Sequence, residues 1–492
     1  MTMLPTGLQR EGVTMDDFVN LDLTAQADLV KSGQATAWEL VEAAIRRAKK
    51  VNPTINAIIA PLYDEGRAEA AQAATDSLFA GAPFLVKDLY CHMSGVPTTG
   101  ASRLTRSFVP ARDSELMRRY RAAGLSTFGK TNLCEFGTLG TTEPKLFGPT
   151  RNPWNVGRSS GGSSGGAGAA VAAGIVPAAH GGDGAGSIRI PASCCGVFGL
   201  KPSRGRITLG PDLGDSTGGI VNEHVLSRSV RDSAALLDAT QGSMPGDPYA
   251  APPPSGGYAD AIRTKPRRLR IGFTTASLLG TAVDPDCVAA TTDAAHLCES
   301  LGHEVVECAP SIDGETYRTL YKRFWAMTAT RAITALARSR GEDPSGLVAE
   351  VESFNQYLYG VGSRISAADY LVDLNWFHTT GRTLANFLLD VDVWLTPTLG
   401  TPPPVLGHFD ADRHGGEAVM ERFLEFLAFT TFANMVGLPA MSVPLYWTAG
   451  GLPVGTQFTG RFDDEATLLQ LAAQLEEARP WAQRRPAVHA AE

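Results

Sequence analysis

Charge is scarce in this chain. Lysine plus arginine number 43 and aspartate plus glutamate 51 among 492 residues, so charged residues make up 19% and the formal net charge is −8. An average globular chain carries ~25%. The missing cationic excess argues against nucleic-acid and anionic-membrane partners, which need basic clusters. The short basic run from Lys265 to Arg270 reads as solvated charge beside a strand. Cysteine is scarce as well. Seven stand at 91, 134, 194, 195, 287, 298 and 308, an odd count with an adjacent pair and no Cys-x-x-Cys spacing. That pattern excludes a disulfide framework and a zinc site, and a reducing cytosol is the simplest setting. Residues 1–20 lack a basic start followed by an apolar run, so no secretory leader is expected. Unbroken hydrophobic spans are missing too. Phe426 to Gly460 holds no charged residue, but Asn434, Gly437, Pro439, Pro444, Gly450, Gly451 and Pro453 interrupt it. Buried strands joined by turns are expected there, not a membrane helix.

Glycine is plentiful, at 52 residues, and 43% of the chain is hydrophobic. Few charges and many glycines imply a large buried core with tight backbone turns, which excludes disorder and a fibrous fold. Length alone suggests about three domains. Large α/β enzymes often form one continuous sheet instead, so that prior is weak.

Periodicity gives the elements. Thr36 and Glu39 form a capping box, and Leu40, Val41, Ala44 and Ile45 recur at helical spacing. Arg46, Arg47, Lys49 and Lys50 suit the end of that helix, and Asn52-Pro53 should stop it. Phe84-Leu85-Val86 reads as a buried strand with Lys87 at its end. Residues 113–123 read as helix and 125–128 as strand. Residues 269–274, 286–301 and 304–308 make a βαβ unit, which points to a parallel or mixed sheet. Residues 312–390 are helical and rich in aromatics. Further strands are expected at 391–395 and 454–459, with a closing helix at 465–479. The best linker candidate is 245–257, read as an ordered surface crossing.

Two motifs mislead. Gly124 to Thr131 matches the phosphate-binding loop G-x4-G-K-[ST], but a helix precedes it and its interior is strand-like. Gly161 to Gly165 matches G-x-S-x-G, but a polar, turn-rich loop stands where the buried strand should be.

Ten of the 26 residues from Gly161 to Gly186 are glycine. A flexible linker is the bland reading. Ala167 to Ala173 is helix-forming, however, and Ile188 and Ile190 alternate with Ser187 and Arg189, so the segment carries embedded structure. Gly184, Ala185 and Gly186 can turn consecutive N–H groups toward one point, a nest for a developing oxyanion, and Ser187 follows as a nucleophile. Serine needs a base. His180 is the one nearby histidine, and Lys87 is the alternative. Neutral lysine at pH 7 costs roughly 4–5 kcal/mol, which burial behind Phe84, Leu85 and Val86 can supply. An ion pair with Asp88 is the plain alternative for Lys87.

The run GGSSGGAGAAVAAG…HGGDGAGSIRIPASCCGVFGLKPSRGRI resembles the signature of the amidase signature family. The resemblance extends to Leu85–Asp88, Phe128–Asn132, Thr150–Trp154, Gly437–Pro444 and Gly451–Gly455. It spans about Leu21 to Arg485. It implies an α/β fold, one large domain over residues 1–492 with a mixed sheet flanked on both faces by helices. Residues 310–390 would be a helical, aromatic-rich substrate-side region within it. It also implies amide hydrolysis without metal or other cofactor. Residue by residue, it makes Ser187 the nucleophile, Ser163 a proton relay after a cis peptide bond, and Lys87 the neutral base. It assigns the oxyanion donors to the backbone of Gly184, Ala185, Gly186 and Ser187. It makes Asp183 and Arg189 loop braces, and places Gly137, Thr138 and Leu139 on the acyl pocket. Two positions depart from the family pattern: Gly182 lacks the usual threonine hydroxyl, and Ala185 adds a methyl beside the oxyanion. The block 180–191, with Thr141–Pro144, is most similar to the 6-aminohexanoate cyclic dimer hydrolase branch.

The expected activity is hydrolysis of small neutral or apolar amides, with oligoamides, anilides and carbamates in range. The expected partner is the small-molecule substrate alone, acted on by a cytoplasmic monomer or homodimer. Two alternatives stand beside it: the glutaminase subunit of a tRNA-dependent amidotransferase, and a catalytically silent binding protein. Tyr321, Phe324, Trp325, Tyr357, Tyr359, Trp376 and Phe377 either line the pocket or simply pack helices.

Overall fold

A computed structural model describes residue 15 and residues 17–491. The leader expectation for residues 1–20 therefore falls largely outside the described residues. Strands follow in chain order as β1 (Ile58–Pro61), β2 (Pro83–Lys87), β3 (Ser126–Thr131), β4 (Arg151–Asn152), β5 (Asn155–Ser159), β6 (Ala178–Asp183) and β7 (Phe198–Lys201). They continue as β8 (Asn222–Ser227), β9 (Arg270–Phe273), β10 (Glu304–Glu307), β11 (Val393–Pro397), β12 (Ala440–Trp447) and β13 (Pro453–Gly460). Eight of them form the main sheet, in the order β10-β9-β11-β13-β12-β7-β8-β6. Its β10, β9 and β11 run parallel, as the βαβ pattern predicts, and every pairing from β11 to β6 is antiparallel. A small sheet β1-β3-β2 carries Lys87 at the end of β2, and β2 packs against β6.

The fold is α/β with helices on both faces of the mixed sheet. On β13, Gln457 points at the helix Arg189–Cys195, while its neighbour Phe458 points into the apolar cluster of Leu468 and Leu469 on Glu465–Ala478. Successive strand residues face opposite sides, so one strand supports a polar network above and an apolar core below. The uncharged stretch 426–460 holds the helix Thr431–Val436 as well as all of β12 and β13. Among the described residues, no helix is long and apolar enough to cross a membrane.

Several boundaries differ from expectation. The capping box at Thr36 forms as predicted, but the helix Ala37–Ile55 runs through Pro53. The Asn52 carboxamide accepts from the amides of Ala57 and Ile58, so the chain just past the helix is held from within its last turn. The cations at 46–50 therefore lie inside the helix, not at its end. Ile188 and Ile190 do not mark an extended, two-faced segment. Ser187, Ile188, Arg189 and Ile190 are all buried, and the helix Arg189–Cys195 starts among them. The 245–257 segment is a surface crossing tied down by Arg206, which donates to the Pro252 carbonyl, and by Tyr249 beneath Arg204. All seven cysteines are unpaired.

Phe458 is fully buried opposite Met441 and Leu395. Phe458→Ala should cost about 3–5 kcal/mol of stability. Thr36→Ala, which removes only a cap, should cost about 1 kcal/mol. Denaturant midpoints of the two variants check that order.

Candidate active site

Lys87 leaves the end of β2 with its side chain fully enclosed. Its Nζ donates to Ser163 Oγ at 2.8 Å and to the Gly182 carbonyl at 3.2 Å. Burial pushes its pKa down, against the pull of the Glu223 and Asp183 carboxylates. The expected alternative, an ion pair with Asp88, does not form. Asp88 is taken by Lys130, whose Nζ lies 3.2 Å from its carboxylate and also donates to the Pro97 carbonyl. Lys130 is the lysine of the false phosphate-loop match, and it sits buried on β3.

The Gly162–Ser163 peptide is cis. Ser164 leads into the helix Gly165–Ala172, and its amide donates to the Ser187 carbonyl at 3.3 Å, joining the two serine-bearing segments. Lys87, Ser163, Gly184 and Ser187 line one cavity of about 420 Å³.

The loop Gly184–Ser187 is folded around Asp183. One carboxylate oxygen accepts from the Gly186 amide at 2.6 Å, and the other accepts from the Ile188 amide at 3.1 Å. Arg189 closes on both oxygens at 3.0 Å. Burial alone would raise the Asp183 pKa, but the Arg189 guanidinium and the Asn434 amide hold it at about 2. Gly186 has φ +124°, and a Cβ there would lie 2.6 Å from Thr430 Oγ1, so glycine is required. Thr430 in turn donates to the Ala185 carbonyl at 2.6 Å. The four expected oxyanion amides are thus not equivalent. That of Gly186 is held by Asp183, while those of Gly184, Ala185 and Ser187 make no hydrogen bond among the described residues.

The acyl-pocket residues separate. Gly137 and Thr138 line the main cavity, and a Cβ on Gly137 would stand 3.2 Å from Ser163 Oγ. Leu139 instead lines a neighbouring cavity of about 290 Å³. Trp325 donates its indole N–H to the Thr138 carbonyl at 3.0 Å and covers Gly184. Of the aromatics singled out in the sequence, Trp325 reaches the main cavity, while Tyr321, Phe324 and Phe377 pack in the core.

Four contributors were not foreseen from sequence. Asn434, Gln457 and Thr430 complete the shell around Asp183 and Arg189. Their signal was polarity inside an otherwise uncharged, buried stretch. The fourth is Glu223. A Cβ on Gly182 would fall 2.6 Å from Glu223 Oε1, so glycine at this position leaves space for a carboxylate. His180 lies beneath Lys87 and does not serve as a base for Ser187. Its Nδ1 accepts the Lys87 amide at 3.1 Å, which leaves Nε2–H to donate to Glu223 Oε2 at 2.6 Å. Among the described residues, no group of three or more His, Cys, Asp or Glu is placed to hold a metal ion.

A fold of this kind around such a loop defines a class, and the comparisons agree. The amidase family model matches residues 39–469, and the chain belongs to that family: it is an amidase, a hydrolase of amide bonds. It is similar to 6-aminohexanoate-cyclic-dimer hydrolase of Paenarthrobacter ureafaciens, with 40% identity over 483 residues covering 94% of this chain and 96% of that protein. The solved structure of 6-aminohexanoate cyclic dimer hydrolase complexed with substrate superposes with TM-score 0.88 at 37% identity, over 96% of this chain and 99% of that one. A bacterial aryl acylamidase of the amidase signature family superposes with TM-score 0.85 at 29% identity, over 94% and 97% of the two chains.

Arg189→Met should strand the Asp183 carboxylate in the core and cost about 3–5 kcal/mol. Chemical denaturation at neutral pH checks this. The folded Asp183 pKa is depressed, so its contribution in the native chain is complete above the ordinary carboxylate pKa. It should be lost as pH falls toward about 2.

Proposed function

We propose that Ser187 is the nucleophile, with Ser163 and Lys87 as its proton path. The observation that carries this is the 2.8 Å contact between Lys87 and Ser163 at the floor of a cavity that Ser187 shares. Ser187 Oγ attacks the amide carbonyl and passes its proton to Ser163, whose own proton goes to neutral Lys87. The amides of Gly184, Ala185 and Ser187 receive the oxyanion, while Asp183 and Arg189 brace the loop. The proton then returns along the same path to the leaving nitrogen as the carbon–nitrogen bond breaks. Water, activated the same way, hydrolyses the acyl ester on Ser187.

The substrates are small amides with apolar substituents, including oligoamides, anilides and carbamates. Support comes from the cavity wall of Leu89, Phe136 and Trp325, and from relatives named for a cyclic amide dimer and for aryl acylamides. The enzyme acts in the cytoplasm as a monomer or homodimer, with no nucleic-acid or membrane partner and no cofactor. The helices of 310–390 form the substrate side. A turnover screen of the purified chain across primary amides, anilides, cyclic and linear oligoamides and carbamates tests this reading.

A fluorophosphonate should label Ser187 stoichiometrically, and Ser163→Ala should slow that labelling without moving it. An adduct mapped to Ser163 or Ser164 would overturn the assignment. Lys87→Ala should lower kcat by about 10²- to 10⁴-fold, the range of a lost general base.

Glu223 stabilises the protonated form of Lys87, so in Glu223→Gln the acid limb of kcat/KM should move to lower pH. A limb that stays or moves upward removes Glu223 from that role. Chelator should leave turnover unchanged.

A further inference from the structure

The main cavity continues outward from Ser187 along the helix Gly314–Arg340. Trp325, Thr328, Ala332, Ala335 and Ser339 line it at alternating spacings of three and four, one face of the helix. Arg331 flanks that stripe and lines the cavity with it. Its guanidinium makes no hydrogen bond or ion pair among the described residues, and its Nε is buried without an acceptor.

The other charged groups of the cavity wall each have a partner, although Glu223 keeps its Oε1 unpaired. Lys87 holds Ser163, Asp212 holds Arg112 and Glu223 holds His180. Burial and the Lys130 charge push the His92 pKa down, so that imidazole is neutral. Arg331 is thus the uncommitted cation of the cavity among the described residues. Arg331 is half-buried and keeps its charge, so its guanidinium is available to an acceptor on whatever enters the cavity. Its fork of donors matches a carboxylate bidentately.

Resting on the amidase reading above, we propose that Arg331 reads a carboxylate at the far end of an apolar chain on the substrate. Arg331 lies six positions along the helix from Trp325 at the oxyanion loop, roughly 9 Å along the axis. Leu89, Phe136 and the small side chains of Ala332 and Ala335 line the same cavity, an apolar wall that suits methylenes. The substrate is then neutral at the scissile amide and anionic at its end, which narrows the expectation of a neutral amide.

The test uses the purified full chain and two substrate pairs. Adipic acid monoanilide against hexananilide places the carboxylate on the acyl side. N-benzoyl-aminohexanoate against N-hexylbenzamide places it on the amine side. For one pair, the anionic member should be favoured by about 10- to 100-fold in kcat/KM, mainly through KM. Arg331→Gln should bring that ratio close to one, and Arg331→Lys should keep part of it. A general loss of activity cancels in the ratio. A wild-type ratio near one for both pairs, or one unmoved by Arg331→Gln, overturns the proposal. Refusal of all four compounds by a chain whose Ser187 is labelled by fluorophosphonate overturns the carboxylate proposal alone. Refusal without labelling overturns the amidase mechanism together with it.

Discussion

The buried pair of Asp183 and Arg189 is the constraint from which the site is built. Asp183 ends β6 and spends its carboxylate on the backbone of the loop that follows, including the amides of Gly186 and Ile188. Arg189, at the start of the next helix, neutralises that charge and turns its remaining donors to Thr430, Asn434 and Gln457. One ion pair thereby joins an edge strand, the serine loop, the helix Thr431–Val436 and central strand β13. Such a pair is a weak source of net stability, but its hydrogen bonds specify a single arrangement of the loop. The left-handed Gly186 and the outward amides beside it follow from that arrangement.

A second division of labour concerns two lysines. In the pairing of β2 with β3, Val86 stands opposite Lys130 and Lys87 opposite Thr131. Lys130 reaches Asp88 and the Pro97 carbonyl; burial pushes its pKa down too, but the Asp88 carboxylate pulls the other way and ties it to a structural role. Lys87 is left with hydroxyl and carbonyl partners, and burial favours the neutral amine. Beneath it, Glu223 occupies the volume that a side chain on residue 182 would fill. The departure at Gly182 and the presence of Glu223 are two sides of one packing solution.

The aromatic helices of 312–390 serve packing and the cavity together. Tyr317, Tyr321, Phe324 and Phe377 stack or meet edge-on within the core. Trp325 continues the Tyr321 stack and delivers its indole to Thr138 beside the cavity. The same helix therefore anchors in the core at one end and exposes a small-residue face to the cavity further along.

Local pattern determined much of this. The capping box at Thr36, the βαβ unit of β9 and β10, strand β2 with Lys87 at its end and the helix after Ser164 were all legible. Each depends on period, cap chemistry or turn residues within a short window. Ser187 was legible because a glycine-rich nest of amides precedes it, while Ser163, Asp183 and Arg189 were marked only by the resemblance to the amidase signature family. Tertiary structure decided the pairings between distant segments. It gave Asp88 to Lys130 and not Lys87, brought Asn434 and Gln457 more than 240 residues along the chain to Arg189, and turned Leu139 away from the main cavity. It also held the Gly186 amide on Asp183 and left Arg331 Nε without an acceptor among the described residues. Such outcomes depend on which charges and hydrogen-bonding groups share a dry volume. Chain distance carries no record of that, because burial sets the cost of every unpaired group only after the strands and helices have met.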